Sequence, residues 1–502
     1  MSYIPLATKV LSSLQLITFA TNITMEKEIA RTRTKIICTI GPSSRNYETI
    51  SAMIVAGMDV ARMNFSHSTH EDHQETVDQV RRFNVENNTN ICLLGDLQGP
   101  KLRVGMVENN EIFLQNGQNI QLTSEECIST ESKLYIKYAN LAKDVKPGER
   151  ILLDDGKLAL EILSSDGDTL LEAMVIHGGK LSSKKGVNFP NSQLSVPAIS
   201  EKDKADLAFA IKNKVEWIAL SFVRNADDIH ALKELLHASH SKAKVIAKIE
   251  KPEAVKNIDE IIAAADGVMV ARGDLGVEIE LERVPLLQKQ IVKACIQSAK
   301  PVIIATQMME SMIQSPTPTR AETNDVTNAV LDGADAVMLS AETSAGAYPV
   351  QVVKIMDKIV RFAETDDNVY NKRKQVNPHS RTFLSDEICH QACLICDVLK
   401  AKAIVSMTHS GYTAFQLTSF RPKAPVIIFT DNKQLLNTLN LLWGVRCFYY
   451  NKFGTTDETI FDVNSILHTM GIVAKGDLVI NTAAMPLHTR SRTNTIKVSR
   501  ID

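Results

Sequence analysis

The sequence lacks the features of several common protein classes. Eight cysteines in 502 residues are too sparse for a disulfide scaffold. A formal net charge of −2 gives no electrostatic reason to expect a nucleic acid or an anionic membrane as a partner. The mildly apolar run Leu11–Ala20 is too short to span a bilayer, and no other segment could cross one. We therefore expect a reduced, cytoplasmic protein with no nucleic-acid or membrane partner.

The only cluster of cysteines predicts a core stripe rather than a metal site. Cys389, Cys393 and Cys396 would share one face of a helix. A zinc site needs a fourth ligand at matching spacing, and none lies nearby. The pattern therefore favours a small apolar stripe buried in a domain core.

The ordered pattern begins at about Arg31, so we expect residues 1–30 to be a disordered N-terminal extension. The run within it weakly resembles a secretory leader, but no small-residue cleavage site follows. A start codon placed too early, with Met25 as the true first residue, is the interpretation we favour.

The length of 502 residues suits about three domains, and the first of them is marked by eight short β-rich runs with helical patterns between them. Most of these runs are apolar at nearly every position, as in parallel strands covered on both faces. Eight strand–helix units in order predict an α/β fold, a (β/α)₈ TIM barrel over residues 31–98 and 199–365. A doubly wound open sheet is the structural alternative. The runs are Lys35–Ile40, Asp59–Asn64, Ile91–Asp96, Trp217–Phe222, Val245–Glu250, Gly267–Arg272, Val302–Gln307 and Ala336–Ala341.

The third and fourth runs are separated by residues 99–198, which have a different pattern. Strand-like pieces there are separated by turn dipeptides such as Asn116-Gly117 and Asp155-Gly156, which predict a small inserted β-barrel domain. The insertion leaves from the C-terminal end of a barrel strand, where active sites form, so we expect it to act as a lid. Beyond a polar linker, helices and strands alternate again over residues 381–502 and predict a C-terminal α/β domain.

Charged side chains recur at the C-terminal ends of the predicted barrel strands, where the active site of such a barrel lies. Glu250 and Asp274 are carboxylates suited to holding a hard divalent cation. Lys248 and Arg62 suit the neutralisation of a phosphoryl group in transfer. Each residue alone could be an ion pair or a turn residue. Their occurrence at one end of successive strands favours a phosphoryl-transfer site.

Seven sequence blocks stand out, in order, along the chain: Thr34–Pro42, Ala61–His67, Lys184–Asn188, Ala247–Glu250, Met269–Gly276, Ala305–Met312 and Met338–Thr343. These blocks resemble the pyruvate kinase family, and the match runs from about residue 31 to 500. The resemblance implies a Mg²⁺-dependent enzyme that transfers the phosphoryl group of phosphoenolpyruvate to ADP, giving pyruvate and ATP in the last step of glycolysis. It also implies that family's barrel, β lid and C-terminal regulatory domain, allosteric control and a homotetramer.

The resemblance implies roles for the residues that hold phosphoenolpyruvate. Lys248 would be catalytic and lie against the transferring phosphoryl group. Glu250 and Asp274 would ligate the Mg²⁺ ion, for which Mn²⁺ is expected to substitute. The backbone N–H groups of Gly273 and Asp274, with Thr306, would receive the substrate carboxylate. Thr306 would also lie near the face where the enolate is protonated through water.

The same resemblance implies a nucleotide subsite. Arg62 would contact the phosphoryl group and, with Arg103 and Lys185, help to bind the phosphates of ADP or ATP. Supporting positions beside the residues that touch substrate would be Ser221, Phe222, Ser340 and Glu342.

One departure from the family pattern concerns monovalent cations. The family's cation pocket matches Asn64, Ser66, Asp96 and the backbone of Leu97, but the chain has Lys101 where potassium-requiring members carry Glu. A lysine there places a fixed positive charge where the charge of the ion would act. We therefore predict that K⁺ is not required.

A second departure concerns the effector. Thr408, Ser410, Gly411 and Thr413 lie in a strand-to-helix loop that resembles the family's effector phosphate loop and suits a phosphorylated ligand; a plain turn is the alternative. The second effector loop, usually Gly-rich, is replaced by Ala483–Arg492, which lacks those glycines but whose Arg490 and Arg492 could still bind one phosphate. That loss favours AMP or a sugar monophosphate over fructose 1,6-bisphosphate.

Two other functions compete with this interpretation. One is another Mg²⁺-dependent barrel enzyme that acts on phosphoenolpyruvate or an oxoacid, such as an aldolase or lyase. It would share the carboxylates but would not need the lid or a phosphate-facing Lys248. The other is a non-catalytic metabolite sensor built on the C-terminal domain, which would not need Lys248, Glu250, Asp274 and Thr306 together.

Overall fold

The computed structural model describes residues 31–372, 374–452, 454–485 and 491–502, so the predicted extension at 1–30 and the proposed start at Met25 lie outside the described residues. The strands, in chain order, are β1 (Lys35–Thr39), β2 (Val60–Asn64), β3 (Cys92–Asp96), β4 (Glu111–Leu114), β5 (Asn119–Thr123), β6 (Lys133–Tyr135), β7 (Arg150–Leu153), β8 (Leu158–Ser165), β9 (Leu170–His177), β10 (Gly179–Ser182), β11 (Val187–Asn188), β12 (Trp217–Leu220), β13 (Lys244–Ile249), β14 (Gly267–Ala271), β15 (Val302–Ala305), β16 (Ala336–Leu339), β17 (Ala403–Met407), β18 (Val426–Thr430), β19 (Val445–Tyr449), β20 (Leu478–Ala483) and β21 (Thr495–Arg500). The α-helices are Tyr47–Ala56, His70–Asn87, Leu141–Asp144, Glu201–Lys212, Ala226–Ala238, Pro252–Lys256, Ile258–Ala264, Arg272–Glu278, Val284–Gln297, Arg320–Asp332, Ala341–Ser344, Pro349–Ala363, Phe383–Leu399, Tyr412–Ser419, Lys433–Thr438 and Thr456–Thr469.

Strands β1–β3 and β12–β16 close into a parallel barrel. The closure is the pairing of β1 with β16, in which Lys35 lies opposite Ala336, and it excludes the open doubly wound sheet. Every predicted apolar run became a barrel strand and differs from the prediction only at its ends. Because helices cover the outside and side chains fill the inside, these strands are buried on both faces. Each fully buried Ile, Leu or Val stabilises this core by about 1.5–3 kcal/mol.

The chain between β3 and the helix Glu201–Lys212 forms a separate β domain at the C-terminal mouth of the barrel. It combines a six-stranded sheet, in the order β11-β7-β8-β9-β5-β6, with the two-stranded sheet β10-β4 around its own apolar core. Gly117 and Gly156 have φ values of +76° and +84°, which explains why turn dipeptides with glycine mark this region. The prediction of a barrel with an inserted lid is confirmed.

The C-terminal domain is a five-stranded α/β sheet in the order β19-β18-β17-β20-β21, with β21 antiparallel at one edge. Cys389, Cys393 and Cys396 lie in the core between the helix Phe383–Leu399 and this sheet. Burial raises the pKa of the Cys389 thiol to about 12, as expected of an unreactive core cysteine. None of the described helices is long and apolar enough to cross a membrane.

The C-terminal domain packs against the N-terminal face of the barrel through buried acidic residues. Asp59, Glu216 and Asp335 each stand directly before a barrel strand, and each accepts a hydrogen bond from the backbone N–H of the first or second residue of a neighbouring strand. Asp335 also binds the Arg421 guanidinium of the C-terminal domain at 2.8 Å, with both side chains almost wholly buried. Among the described residues, the C-terminal domain thus lies at the end of the barrel opposite the lid.

Candidate active site

The charged residues singled out in the sequence meet where β13 and β14 end. These strands are neighbours, with Lys248 opposite Met269 in the register. Lys248 is near the end of β13, and Glu250 follows that strand directly. The helix Arg272–Glu278 begins where β14 ends and carries Asp274 in its first turn. Parallel pairing thus brings residues far apart in sequence to one edge of the barrel.

Lys248 is the centre of the group. Its Nζ donates to Ser221 Oγ at 2.7 Å and lies 3.2 Å from Asp96 Oδ1 and 2.9 Å from Glu250 Oε1. Burial opposes its charge, but Asp96 and Glu250 outweigh burial and raise the pKa of Lys248 above its ordinary value of 10.5. The ion pairs of Lys248 therefore contribute their full stability below pH 10.5. This contribution is lost only as the pH rises through the pKa of Lys248 in the folded protein. The ammonium group stays charged near neutral pH.

Glu250 and Asp274 form the acidic side of the site. Glu250 is fully buried, and its Oε2 accepts the backbone N–H of Phe222 at 2.7 Å. Burial raises the pKa of Glu250, and the charge of Asp274 raises it further against the opposing charge of Lys248. The buried Oε1 lies near Lys248 but accepts no hydrogen bond from the described residues. Two carboxylates that destabilise each other in this way are relieved by a cation between them.

Asp96 joins Lys248 to Arg62. The Nε and Nη2 atoms of Arg62 both lie 2.8 Å from Asp96 Oδ2, and Nη1 donates to Thr39 Oγ1 at 2.7 Å. Burial opposes the charge of Asp96, but Lys248 and Arg62 overcome it and lower the pKa of that carboxyl. Asp96 therefore holds the Arg62 guanidinium and the Lys248 ammonium group beside each other in the site. This role was not anticipated, although a carboxylate ending an apolar strand was a visible signal.

Thr306 and Gly273 lie together at the ends of β15 and β14. The Gly273 N–H donates to Thr306 Oγ1 at 2.8 Å, and that hydroxyl donates to the Ala305 carbonyl at 2.6 Å. Thr306 has a φ of +69°, which is costly for a β-branched residue. Arg272 holds this conformation, since its Nη2 donates to the Thr306 carbonyl at 2.7 Å. A substrate carboxylate that takes the Gly273 N–H must displace the threonine hydroxyl.

The predicted nucleotide residues Arg103 and Lys185 lie on the lid, apart from the group around Lys248. Arg103 Nη1 donates to the Lys184 carbonyl at 3.1 Å, and Lys185 Nζ lies 2.8 Å from Asp154 Oδ1. Both side chains are partly exposed to solvent.

Lys101 connects the lid hinge to the barrel mouth. Its Nζ lies 3.9 Å from Asp274 Oδ1. Burial lowers the pKa of His67, and the charges of Arg103, Lys101 and Arg62 lower it further. These three cations therefore lie near enough to His67 to act on its charge, although the sequence reasoning did not single out this histidine. A concentration of positive charge of this kind suits a polyanionic ligand.

The matched cation-pocket residues already have protein partners. Asn64 Oδ1 accepts the backbone N–H of Ser66 at 3.1 Å. The Leu97 carbonyl accepts the Ser221 hydroxyl at 2.8 Å. Asp96 is contacted by Lys248 and Arg62, as described above.

The effector-loop residues begin the helix Tyr412–Ser419 at the C-terminal end of β17. Gly411 has a φ of +84°, and its N–H donates to Thr408 Oγ1 at 3.0 Å. The Tyr412 N–H faces Ser410 Oγ at 3.4 Å. The loop thus gathers hydroxyls and N–H groups at a helix start, an arrangement suited to an anion.

Thr413 links this loop to the second one, because its hydroxyl lies 2.7 Å from Thr493 Oγ1. In the second loop, Arg492 donates to the carbonyl of Arg381. Arg490, which the sequence offered as a phosphate ligand, lies outside the described residues.

Two family models match the chain. One is described as pyruvate kinase, barrel domain, and matches residues 31–353; the other is described as pyruvate kinase, alpha/beta domain, and matches residues 386–499. Together they cover the barrel, the lid and the C-terminal sheet.

Named relatives match over most of their length. The pyruvate kinase of Corynebacterium glutamicum is 43% identical over 466 residues, which cover 93% of this chain and 97% of the relative. That of Geobacillus stearothermophilus is 42% identical over 468 residues, covering 93% and 80%. A crystal structure of a pyruvate kinase from Cryptosporidium parvum superposes with a TM-score of 0.87 at 33% identity, covering 94% of this chain and 97% of that one.

Proposed function

The chain belongs to the pyruvate kinase family, and on that premise we propose how its barrel mouth performs the family's reaction. The activity is the transfer of the phosphoryl group of phosphoenolpyruvate to ADP, which gives pyruvate and ATP. The observation that carries the proposal is the convergence of Lys248 with Glu250 and Asp274 at one end of the barrel.

Lys248 stabilises the phosphoryl group while it is between donor and acceptor. Its raised pKa keeps the ammonium group charged, so it acts as a fixed positive charge and not as a proton donor. Arg62, held by the same Asp96, adds a second cation on the phosphoryl oxygens. Because these groups are buried and already oriented, they stabilise transition-state charge without reorganising.

Pyruvate kinases generally need Mg²⁺, and Glu250 and Asp274 fit this ion. They are hard oxygen ligands, and among the described residues the buried Glu250 Oε1 has its ion pair with Lys248 Nζ at 2.9 Å but no further hydrogen bond. Within the described residues no group of three or more His, Cys, Asp or Glu could hold a metal. Two carboxylates completed by substrate oxygens and water are a common Mg²⁺ arrangement. Bound there, the ion would neutralise phosphoryl and enolate oxygens. Mn²⁺, which takes similar ligands, is expected to substitute.

The substrate carboxylate binds at the start of the helix Arg272–Glu278. The backbone N–H groups of Gly273 and Asp274 receive it, together with the hydroxyl of Thr306. The same hydroxyl lies beside the face where the enolate gains its proton through water. Arg103 and Lys185 bring their charges from the lid to the nucleotide phosphates.

A coupled assay for ATP formation tests the function directly. We expect the protein to form ATP from phosphoenolpyruvate and ADP when Mg²⁺ is present and to stop when the ion is chelated. An aldolase or lyase would consume phosphoenolpyruvate or an oxoacid without forming ATP, and a sensor would do neither. Absence of Mg²⁺-dependent ATP formation would contradict the proposal.

We propose that catalysis does not require K⁺. Lys101 Nζ lies 3.9 Å from Asp274, so a fixed positive charge already stands beside the metal ligands. The Leu97 carbonyl and the Asp96 carboxylate have their own partners in Ser221, Lys248 and Arg62. Both observations support a site that keeps its charge balance without a monovalent ion.

The K⁺ prediction is tested in tetramethylammonium buffer. The wild-type enzyme is expected to keep most of its turnover there, while Lys101→Glu should lose turnover and regain it when K⁺ is added. Lys180→Glu makes the same charge reversal at an exposed lid position, where the side chain pairs with Glu111, and should behave as wild type. Near-complete loss of wild-type turnover without K⁺ would contradict the prediction.

We propose that the loop of Thr408, Ser410, Gly411 and Thr413 binds the phosphate of an activating effector, and that a monophosphate such as AMP or a sugar monophosphate is preferred. The hydroxyls and N–H groups of this loop support one phosphate. The second loop lacks the glycines that allow close backbone approach to another phosphate.

Titrations with AMP, glucose 6-phosphate and fructose 1,6-bisphosphate test this preference. Activation by a monophosphate is expected, and Ser410→Glu should abolish it by charge repulsion. Ser465→Glu, at an exposed position of the same domain, should retain it. Strong activation by the bisphosphate with no response to monophosphates would reverse the preference. The homotetramer and the cytoplasmic location stay predictions that rest on the family resemblance.

A further inference from the structure

The lid returns to the barrel through residues 187–196, here called the return segment. Among the described residues, side chains of the barrel units hydrogen-bond to this segment at two places. Arg224, itself bound to both oxygens of Asp228, donates to the carbonyls of Leu194 and Val196 at 3.0 Å each. Nearer the lid, Asn188 Nδ2 donates to Glu278 Oε1 at 2.8 Å. The first contact uses backbone, whereas the second depends on one pair of side chains.

Glu278 is placed to control the second contact. Its side chain is fully buried, and its Oε1 also accepts Lys251 Nζ at 3.0 Å. Lys251 balances the carboxylate charge, so Glu278 stays paired whether or not Asn188 is present. The Asn188 bond is charge-assisted and can therefore form or break without leaving a buried charge alone.

Glu278 and Lys251 belong to the two chain segments that carry the proposed metal ligands. Glu278 is the last residue of the helix that carries Asp274 in its first turn. Lys251 directly follows Glu250. The contact with Asn188 thus ties the return segment to both chain segments that would hold Mg²⁺.

Asn188 is equally close to the proposed nucleotide residues. It ends β11, three residues after Lys185, and β11 pairs with β7. The turn after β7 carries Asp154, the partner of Lys185. In the same turn, a Cβ added to Gly156 would lie 3.5 Å from Val277 Cγ1, so the lid also rests on the helix of Asp274. Moving Asn188 would therefore move Lys185 relative to the metal ligands.

We propose that Asn188, Glu278 and Lys251 form a hinge latch that fixes the lid where Lys185 can bind the nucleotide. The inference rests on the proposed role of Lys185, and it goes beyond it by naming positioning residues that touch no substrate. When the latch is closed, the Glu278 carboxylate joins the return segment, the helix of Asp274 and the chain after Glu250. The lid is then aligned with the metal ligands. Opening it leaves the Glu278–Lys251 pair intact and frees the lid for nucleotide exchange.

Asn188→Asp tests the latch, since it replaces the donor with a negative charge facing Glu278. We expect the KM for ADP to rise about tenfold, as for the loss of one charge-assisted hydrogen bond. Binding of oxalate, a planar analogue of the pyruvate enolate, in the presence of Mg²⁺ should change by less than about twofold in calorimetry, because the barrel site is untouched. Asn191→Asp adds the same charge at an exposed position of the return segment and should leave the KM for ADP unchanged.

The double variant Asn188→Asp/Glu278→Gln supplies the decisive comparison. In this variant, Lys251 can pair with the aspartate at position 188, and the glutamine amide at position 278 can donate a hydrogen bond to the same aspartate. The KM for ADP should therefore return to within about threefold of wild type. The latch is overturned if Asn188→Asp leaves this KM unchanged, if Asn191→Asp raises it equally, if oxalate binding falls in parallel, or if the double variant is not rescued. ATP formation by the wild-type enzyme is independent of these outcomes, so failure of the latch is distinguishable from failure of the proposed function.

Discussion

A Lys248→Met variant is expected to lose turnover by on the order of 10³-fold, because one preorganised charge on the phosphoryl group disappears. Methionine keeps much of the side-chain length but carries no charge. Arg62 and the two carboxylates remain, so phosphoenolpyruvate with Mg²⁺ should still bind. The effect should appear in kcat more than in KM, because the charge is needed most in the transition state. Steady-state kinetics with a calorimetric binding measurement separate the two.

Folding must be checked in the same experiment. Removing Lys248 leaves Glu250 without its cation and Asp96 with Arg62 alone, which is expected to destabilise the fold by about 3–5 kcal/mol. Thermal unfolding followed by circular dichroism measures this. Lys244→Met makes the same substitution at the opposite end of β13, where the lysine pairs with Asp266, and should keep near-normal turnover. Near-normal turnover in Lys248→Met would remove the main catalytic assignment.

Glu250→Gln and Asp274→Asn are each expected to lower turnover at ordinary Mg²⁺ concentrations by on the order of 100-fold. Both substitutions keep the shape of the side chain and remove one negative charge facing the metal. The concentration of Mg²⁺ needed for half-maximal rate should therefore rise. Mn²⁺, which binds such ligands more tightly, should restore more activity than Mg²⁺ at equal concentration.

The control for the metal prediction is Glu260→Gln, an exposed carboxylate on the outer helix Ile258–Ala264. It should leave the Mg²⁺ requirement at the wild-type value. The assignment of metal ligands is wrong if Glu250→Gln and Asp274→Asn both show the wild-type Mg²⁺ requirement. It is also wrong if their loss of activity is unaffected by the identity and concentration of the divalent ion.

The barrel was predictable because its strands are continuous apolar runs, a signal that depends on local sequence alone. Prediction from local sequence patterns failed where a tertiary contact changed the backbone conformation. The helical pattern between β13 and β14 forms two helices, Pro252–Lys256 and Ile258–Ala264. Asn257 separates the two helices, and its side chain donates a hydrogen bond to the Arg224 carbonyl. This tertiary contact coincides with the break between them.

The helix Thr456–Thr469 begins at a signal that is visible in the sequence. Thr455 and Glu458 form a capping box, in which the threonine hydroxyl accepts the Glu458 N–H and the glutamate accepts the Thr455 N–H. This spacing is a known mark of a helix start. The sequence alone therefore contained enough information to place this element.

The candidate site was predictable as a set of residues but not as a set of contacts. Strand ends identified Lys248, Glu250 and Asp274, because parallel strands of a barrel bring their C-terminal ends together. The pairing of Asp96 with both Lys248 and Arg62 depends on side-chain directions that no spacing reveals. The hinge latch joins residues 188, 251 and 278, which lie far apart in the chain, and only the packing of lid on barrel brings them together.

Crystals grown with Mn²⁺ and oxalate, measured at the manganese absorption edge, test the central claim most directly. The account predicts an anomalous peak within ordinary metal–oxygen bonding distance of both Glu250 and Asp274, with Lys248 Nζ facing the same space. A peak that contacts neither carboxylate, or a Lys248 side chain directed away from the metal, would contradict it.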